Sequence, residues 1–209
     1  MSRIDSGIKD QIILDTNLLL FAFVDVEKMW SSKVTVREKI YSCVAKYFIR
    51  ESPIKLLLPN FILDIELPRI LSKLIIQKNI TDETKLKVLV NMSKQFRQFT
   101  QYLRVLEKCR EIDVWKTVYF KKAAGLYIAL SQKLGRDKVK GNHQDILIMA
   151  VTMVENATLI TGDRGVYNFA READINVRMI YVSSQRKIYS YKADPQIVDR
   201  IEKQIKDIG

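Results

Sequence analysis

Residues 12–20 of the chain read IILDTNLLL, and this stretch decides how the rest of the sequence is interpreted. The run opens with consecutive apolar residues at 12–14. Such a segment is typical of a strand buried on both faces, as in a parallel sheet. The run then carries a carboxylate, a hydroxyl and an amide, from Asp15, Thr16 and Asn17, which have no place in an apolar core. Because ligands of open parallel sheets bind beyond the carboxyl ends of the strands, Asp15 is the first candidate site residue.

Length and composition indicate a soluble, globular protein with one domain of ordinary size. The chain has 209 residues, of which 47% are hydrophobic and 28% charged, a balance unlike that of a disordered chain. The sequence lacks the run of about 18 apolar residues that a membrane span requires, and its polar first residues predict no signal peptide. Cys43 and Cys109 fit no metal-binding spacing. We therefore expect a cytoplasmic protein with no membrane partner.

The net charge of +11 indicates a polyanionic partner. An excess of this size is most often found in proteins that bind nucleic acid, and an anionic membrane surface is the alternative. A generic basic protein without such a partner fits the same charge. Charge alone therefore leaves the partner open.

The order of apolar segments predicts alternating strands and helices. Strands are expected at 12–14, 55–58, 112–115, 158–161 and 177–182. Helices are expected at about 27–50, 61–70, 81–110, 119–134, 142–154 and 166–171, with a terminal helix whose apolar face carries Ile197, Ile201, Ile205 and Ile208. This alternation predicts an α/β domain over residues 1–182, with a parallel sheet and helices on both faces, followed by a basic tail at 183–209.

The segment from about 81 to 110 is predicted to be the longest helix, with Thr81 as its N-cap. Apolar residues recur along it at spacings of three and four and predict a buried stripe. The stripe consists of Leu86, Leu89, Met92, Phe96, Phe99, Leu103 and Leu106. The basic residues off the stripe, among them Lys94, Arg97 and Arg104, form either a solvated outer face or a ridge that contacts phosphates.

Four acidic side chains are expected to meet at one edge of the predicted sheet. Asp15 and Asp163 follow two strands, whereas Asp145 and Glu66 lie near the starts of two helices. The carboxyl ends of parallel strands and the amino ends of the connecting helices share one edge, which would bring these acids together. Carboxylates that close repel one another unless a cation lies between them. Oxygen ligands without cysteine suit Mg²⁺ or Mn²⁺.

Two of these acids, and the neighbouring His143, also have local interpretations. Asp145 could close a capping box with Asn142 at the start of its helix. Asp163 lies in a Gly-Asp-Arg-Gly turn, where an aspartate commonly makes local hydrogen bonds. His143 is interpreted as a solvated or capping residue. The argument for a site is that all four acids are expected at the same edge of the sheet.

The second acid is ambiguous. Asp64 stands two residues before Glu66 and competes with it for the same position. Pro68 predicts either a kink in the surrounding helix or a helix that begins near the proline. The sequence alone does not decide between Asp64 and Glu66, or between a kink and a helix start at Pro68.

Four short stretches together resemble the motifs of the PIN-domain nucleases. They are residues 13–17 (ILDTN), the helix that carries Glu66, residues 142–150 (NHQDILIMA) and residues 159–163 (LITGD). Their order fits from about residue 12 to residue 182. The resemblance implies a three-layer α/β/α sandwich with a central parallel sheet of about five strands, to which the long helix at 81–110 and the C-terminal helix are additions.

The resemblance also implies a function, the hydrolysis of single-stranded RNA with Mg²⁺ or Mn²⁺. The acidic, metal-binding positions of the family correspond to Asp15, Glu66, Asp145 and Asp163. The supporting polar positions correspond to Thr16, Asn17, Asn142 and Thr161, with Arg164 beside the last acid as a contact to the scissile phosphate or a surface residue. The expected contacts to the RNA backbone are Lys94, Arg97, Arg104, Lys140 and Arg164.

The long helix and the tail distinguish the chain from the compact toxin members of that family, and leave RNA processing or turnover open. The alternatives are an inactive RNA-binding or assembly protein on the same fold and a flap-type structure-specific DNA nuclease. A haloacid-dehalogenase-like phosphatase is disfavoured, because Asn17 stands where such enzymes carry a second aspartate. Besides RNA, the partners considered are a second copy of the chain and an inhibitory protein or ribonucleoprotein.

Overall fold

A six-stranded sheet forms the centre of the structure, a computed structural model that describes residues 10–23, 36–77, 81–182 and 188–190. Its strands are β1 (Gln11–Leu14), β2 (Lys55–Pro59), β3 (Cys109–Ile112), β4 (Thr158–Thr161), β5 (Val177–Val182) and β6 (Ile188–Ser190). Side chains on both faces of the central strands are buried: Ile12, Ile13 and Leu14 of β1 have no exposed surface. The apolar run at the start of the chain is therefore the middle of the core, as its sequence predicts.

The strand order is β3-β2-β1-β4-β5-β6. The first five strands are parallel to their neighbours, and β6 pairs with β5 in the antiparallel direction. The chain adds β2 and β3 on one side of β1 and then returns to add β4 and β5 on the other side. The order thus reverses between β1 and β4, and this is where open parallel sheets place their ligand crevice.

Helices cover both faces of the sheet. Those described are α1 (Thr16–Phe23), α2 (Val36–Arg50), α3 (Leu67–Ile76), α4 (Asp82–Val105), α5 (Thr117–Leu134), α6 (Arg136–Val139), α7 (His143–Val154) and α8 (Arg164–Glu172). Right-handed crossovers to β2 and β3 place their helices on one face, and the crossovers that return to β4 and β5 place theirs on the other. The predicted three-layer α/β/α architecture is confirmed, with five parallel strands and one antiparallel edge strand.

The long helix is shorter than predicted and is buried over less of its length. α4 begins after Thr81, whose hydroxyl accepts the Thr84 N–H at 3.3 Å, so the predicted N-cap is confirmed. The helix ends at Val105 rather than near residue 110. Leu86, predicted in the buried stripe, is exposed, and only from Met92 onward do residues of α4 become fully buried.

The predicted third strand at 112–115 is wrong. β3 spans Cys109–Ile112 and forms an edge of the sheet, where Arg110 and Glu111 are exposed. An edge strand that faces solvent does not need a continuous apolar run. The apolar pattern that predicts buried strands is therefore absent from β3. Trp115 lies beyond the strand and is largely exposed.

The segment after β2 resolves the ambiguity around Pro68. Residues Ile62–Glu66 form a π-helical turn, and α3 begins at Leu67. Helical backbone continues from this turn into α3 without a break, and Pro68, which has no N–H to donate, directly follows the wider turn. α3 therefore begins near the proline, as one of the two predicted alternatives has it, but it extends the helical turn that precedes it.

Near the two ends of the chain, fewer of the sequence predictions can be compared with the structure. β6 belongs to the segment that the sequence assigned to the tail, so part of residues 183–209 joins the sheet. The predicted terminal helix at 197–208 and the first part of the predicted helix at 27–50 lie outside the described residues. In the part of the chain that the structure describes, no helix is long and apolar enough to cross a membrane.

Candidate active site

Asp15 lies at the junction of β1 and α1 and is held between two strands. Its N–H donates to the carbonyl of Ile160 in β4 at 2.9 Å, which extends the sheet pairing by one residue. Its carboxylate Oδ2 accepts the hydroxyl of Thr161 at 2.7 Å. Because only 3% of Asp15 is exposed, the carboxylate is fixed by the sheet rather than by solvent.

Glu66 comes to the same place from the end of the π-helical turn. Thr16, the first residue of α1, donates its hydroxyl to Glu66 Oε2 at 2.5 Å, and both residues are buried. Asp64, the competing acid, is half-exposed and pairs instead with Arg104 at 3.1 Å. Glu66 is therefore the acid that this segment contributes to the site.

Asp145 projects from the first turn of α7. The capping box considered for it is not formed, since Asn142 makes no side-chain bond to the helix N-terminus and instead donates its Nδ2 to the Lys138 carbonyl at 3.0 Å. Asn142 nevertheless lines the same cleft as Asp145. His143, the next residue, is exposed and stacks on Tyr127 with ring centroids 5.7 Å apart.

Asp163 makes the predicted local hydrogen bonds and also lines the cleft. Its Oδ1 caps α8 by accepting the N–H groups of Gly165 at 2.6 Å and Val166 at 3.3 Å, and its carboxylate also lines the cleft. The Asp163 N–H donates to the Thr161 hydroxyl at 2.9 Å. Since that hydroxyl donates in turn to Asp15, Thr161 links the two acids that follow β1 and β4.

The four acids line one cleft of about 180 Å³, at the point where the strand order reverses. Thr16, Asn17 and Asn142 contribute further oxygen atoms, and Ile70, Val166 and Phe169 form an apolar wall. The structure thus brings together residues that are up to 148 positions apart, from Asp15 to Asp163, at the edge where the topological argument placed them.

The carboxylates of the cleft are pushed toward their neutral forms. Burial raises the pKa of Asp15 to about 7, assisted by the charges of Asp145 and Glu66 and opposed by the hydrogen bond from Thr161. Burial also raises the pKa of Asp145 to about 6, with contributions from Glu66 and Asp163. Such shifts are typical of acids that are close enough to repel one another and would be relieved by a cation.

The pKa of Glu66 is also raised, and two neighbouring residues reduce the shift. Burial raises its pKa, while the hydrogen bond from Thr16 and the positive charge of Arg69 lower it. Arg69 is held beside the cleft by donating its Nη2 to Gln144 Oε1 at 3.0 Å. Arg69 carries no signal in the sequence, because nothing in its spacing connects α3 to the start of α7.

The donor atoms of the cleft fit a hard divalent cation. All of its side-chain ligands are carboxylate, amide or hydroxyl groups, which Mg²⁺ and Mn²⁺ prefer. Over residues 10–23, 36–77, 81–182 and 188–190, no three His, Cys, Asp or Glu side chains lie close enough together to chelate a metal as they stand. Mg²⁺ is commonly bound by one or two carboxylates with water in its other positions, so this spacing agrees with that ion.

The basic residues predicted to bind RNA lie outside the cleft. Lys94, Arg97, Lys140 and Arg164 are exposed, and the charge of Arg104 is shared between Asp64 at 3.1 Å and Glu111 at 2.8 Å. Arg97 and Arg104 line a separate groove between α3 and α4. Their contacts with a nucleic acid stay predictions.

Tyr41 of α2 is a further residue of the site that the sequence analysis missed. Its hydroxyl donates to the Gly162 carbonyl at 2.8 Å, in the turn between Thr161 and Asp163. Gly162 is in van der Waals contact with the ring, and a Cβ at that position would lie 2.5 Å from Tyr41 Cζ. Tyr41 therefore fixes the backbone that carries two of the polar side chains of the cleft.

This close approach predicts opposite effects for two glycine substitutions. We expect Gly162→Ala to lower the free energy of unfolding by about 1–3 kcal/mol, because the new methyl group overlaps the ring of Tyr41. Gly125→Ala is the matched control: its Cβ would meet nothing within 4 Å, and a glycine-to-alanine change in a helix stabilises by up to about 1 kcal/mol. Urea denaturation of both variants measures the two effects, and a neutral Gly162→Ala would contradict the described packing.

The sequence matches no protein-family model, and it matches no curated protein. The α/β/α fold and the four-acid cleft are therefore the basis for assigning a function.

Proposed function

We propose that this protein is a divalent-metal-dependent ribonuclease that hydrolyses phosphodiester bonds in single-stranded RNA. The observation that supports this most strongly is the convergence of Asp15, Glu66, Asp145 and Asp163 on one cleft at the switch point of the sheet. Asp15, Glu66 and Asp145 are buried or half-buried and have raised pKa values, which destabilises a protein that binds no cation, so their convergence with Asp163 suggests that the acids hold one.

In this proposal, one or two carboxylates at a time from Asp15, Asp145 and Asp163, with water in the remaining positions, would hold one or two Mg²⁺ or Mn²⁺ ions, and Glu66 would complete the site directly or through water. A bound divalent cation supplies an activated water nucleophile and stabilises the charge that develops on the phosphate. Thr161 and Thr16 orient the carboxylates of Asp15 and Glu66 by donating to one oxygen of each. This leaves the acids preorganised, as catalysis by electrostatic stabilisation requires.

The apolar wall and the protein surface contribute to substrate binding. Phe169, Val166 and Ile70 limit the access of bulk water to one side of the cleft. The net charge of +11 attracts a polyanion. The choice of single-stranded RNA over DNA rests on the resemblance of the motifs to PIN-domain nucleases, and a cytoplasmic location belongs to the same proposal.

An inactive RNA-binding protein is the second candidate. The absence of three mutually chelating acids among the described residues favours it, as does the use of Asp163 Oδ1 in capping α8. The two candidates differ in one respect that can be measured, namely whether RNA is cut when Mn²⁺ is added.

A cleavage assay with paired variants tests the proposal. We expect end-labelled single-stranded RNA to be cut in Mn²⁺ and left intact in EDTA, and flap DNA to be cut more slowly. Glu66→Gln should lower the rate by about 10- to 100-fold, the range found when groups that support a metal site are removed. Asp64→Asn is the control two residues away, and it should cleave at close to the wild-type rate because Asp64 faces Arg104 outside the cleft.

Several outcomes would contradict the proposal. Cleavage that continues unchanged in EDTA would exclude a metal-dependent reaction. RNA binding without any cleavage in Mn²⁺ or Mg²⁺ would favour the inactive RNA-binding protein. A larger loss of rate in Asp64→Asn than in Glu66→Gln would show that the wrong acid is assigned to the site.

A further inference from the structure

A second groove, which we call the aromatic groove, adjoins the acid cleft. It has a volume of about 680 Å³ and is formed by the π-helical turn, the start of α5 and the start of α7. Its aromatic side chains are the buried Phe61 and, at the surface, Trp115, Phe120, Tyr127 and His143. Ala123 and Ala124 also line the groove, and their small side chains leave room for a planar group beside the rings.

Trp115, Phe120 and His143 are exposed, Tyr127 is half-buried, and these four rings form two nearly parallel pairs. Trp115 is 57% exposed and Phe120 is 44% exposed, although both are large and apolar. Their ring centroids lie 5.9 Å apart with an interplanar angle of 26°, and the Tyr127–His143 pair has an angle of 19°. A contiguous apolar patch of this kind marks an interaction surface, whereas isolated exposed residues do not.

The aromatic groove and the acid cleft are lined by neighbouring residues at two points in the chain. Gln144 lines the groove and Asp145 lines the cleft, and in the same way Ile65 lines the groove and Glu66 lines the cleft. The π-helical turn and the start of α7 thus contribute to both, so the aromatic groove adjoins the acid cleft at these two elements.

The charges around the aromatic groove suit a polyanion. No acidic side chain is among the described residues that line it. Lys116 and Lys121 follow Trp115 and Phe120 directly in the sequence and are exposed. The nearby carboxylate of Asp113 is used within the turn, where it accepts the N–H of Trp115 at 3.1 Å.

The turn also holds Trp115 in place before any ligand binds. Besides the contact from Asp113, the side chain of Asn60 accepts the N–H of Val114 at 3.2 Å. Val114 itself is fully buried. An exposed ring on an anchored backbone loses little conformational freedom on binding, and this favours its use in recognition.

We propose that the aromatic groove is a base-stacking platform for the single-stranded nucleic acid whose backbone crosses the acid cleft. The proposal rests on the proposed function, because it extends the path of the same substrate. Trp115 and Phe120 present planar faces to unpaired bases, and Lys116 and Lys121 contact the phosphates between them. Stacking of this kind accepts any base and discriminates against a duplex, whose bases are already stacked on one another.

Binding measured without metal tests this proposal separately from cleavage. The probe is a fluorescently labelled oligonucleotide of about 12 uridines, titrated with the full chain in EDTA. We expect Trp115→Ala to weaken binding by about 5- to 100-fold, the range that corresponds to the loss of one base–aromatic stack. Trp115→Phe, which keeps a planar ring, should retain most of the affinity.

Two controls make the result specific. Tyr102→Ala removes another exposed aromatic side chain, on α4 and outside the aromatic groove, and should leave the affinity unchanged. A duplex RNA of the same length should bind wild type and Trp115→Ala equally well. The chain has two tryptophans, so a Trp30→Phe variant leaves Trp115 as the sole reporter, and its fluorescence should be quenched by the oligonucleotide.

The proposal is overturned by an unchanged affinity of Trp115→Ala for the single strand, or by the absence of quenching in the Trp30→Phe variant. It is also overturned if Trp115→Ala changes the oligomeric state without changing RNA affinity, since the groove would then be a protein interface. A normal stacking result combined with no cleavage in Mn²⁺ would refute the nuclease function and leave the platform standing.

Discussion

Asp15→Asn is expected to lower the rate of RNA cleavage by about 10³-fold or more, a loss of several kcal/mol of transition-state stabilisation. Asparagine keeps the shape of the side chain and can still accept the Thr161 hydroxyl, but it lacks the negative charge that holds a divalent cation. The same variant is expected to be more stable than the wild type in the absence of metal. Neutral asparagine avoids the cost of an ionised carboxylate in a site that is only 3% exposed.

The expected gain follows from the pKa of Asp15. Burial raises it from 3.8 to about 7, and a shift of one pKa unit corresponds to about 1.4 kcal/mol, so Asp15→Asn should raise the free energy of unfolding by about 1–4 kcal/mol above neutral pH. Urea denaturation in EDTA measures the gain, and a cleavage assay in Mn²⁺ measures the loss. A variant that is both inactive and less stable would show that Asp15 has a structural function, and one that cuts at the wild-type rate would remove it from the mechanism.

The second large effect is a dependence of stability on pH that metal should abolish. The folded-state pKa values of Asp15 and Asp145 are raised to about 7 and about 6. An acid of this kind contributes stability below its unfolded pKa, and this contribution is lost as the pH rises through the folded pKa. For Asp15 alone, about two pH units separate pH 5 from its folded pKa, which corresponds to a loss of about 2–3 kcal/mol between pH 5 and pH 8.

Unfolding measured at several pH values, with EDTA and with Mn²⁺, tests this expectation. Asp15→Asn should show a shallower fall in stability than the wild type in EDTA, because one of the titrating groups is gone. Mn²⁺ should stabilise the wild type more at high pH than at low pH, since protons compete with the metal for the same carboxylates. Equal pH profiles for the wild type and Asp15→Asn would contradict the raised pKa of Asp15.

The centre of the fold could be predicted from the sequence, and its edge could not. Strands β1, β2 and β4 are buried on both faces, and this imposes the continuous apolar runs by which they were recognised. β3 faces solvent with Arg110 and Glu111, so no such constraint acts on its sequence. The edge strand β6 pairs with β5 on one side only, and its residues Ile188–Ser190 were assigned to the tail.

The acids of the site were found because topology alone brings them together. Each of them follows a strand or begins a helix at the same edge, so knowledge of the element order was sufficient. The choice of Glu66 over Asp64 required the structure, because it depends on the angle set by the π-helical turn. Tyr41 and Arg69 were missed because they reach the site from helices α2 and α3 through tertiary packing, for which a single sequence carries no signal.

The widened turn at Ile62–Glu66 also governs which changes in chain length this protein can accept. A π turn contains one residue more than an α-helical turn, and each residue of an α-helix advances by about 100° around its axis. Deleting one residue there would force either α3 to rotate, which turns Glu66 away, or β2 to shift its register in the centre of the sheet. Surface connections generally vary in length more freely than the elements they join, whereas this connection should be conserved in length even among chains that have replaced most of its side chains.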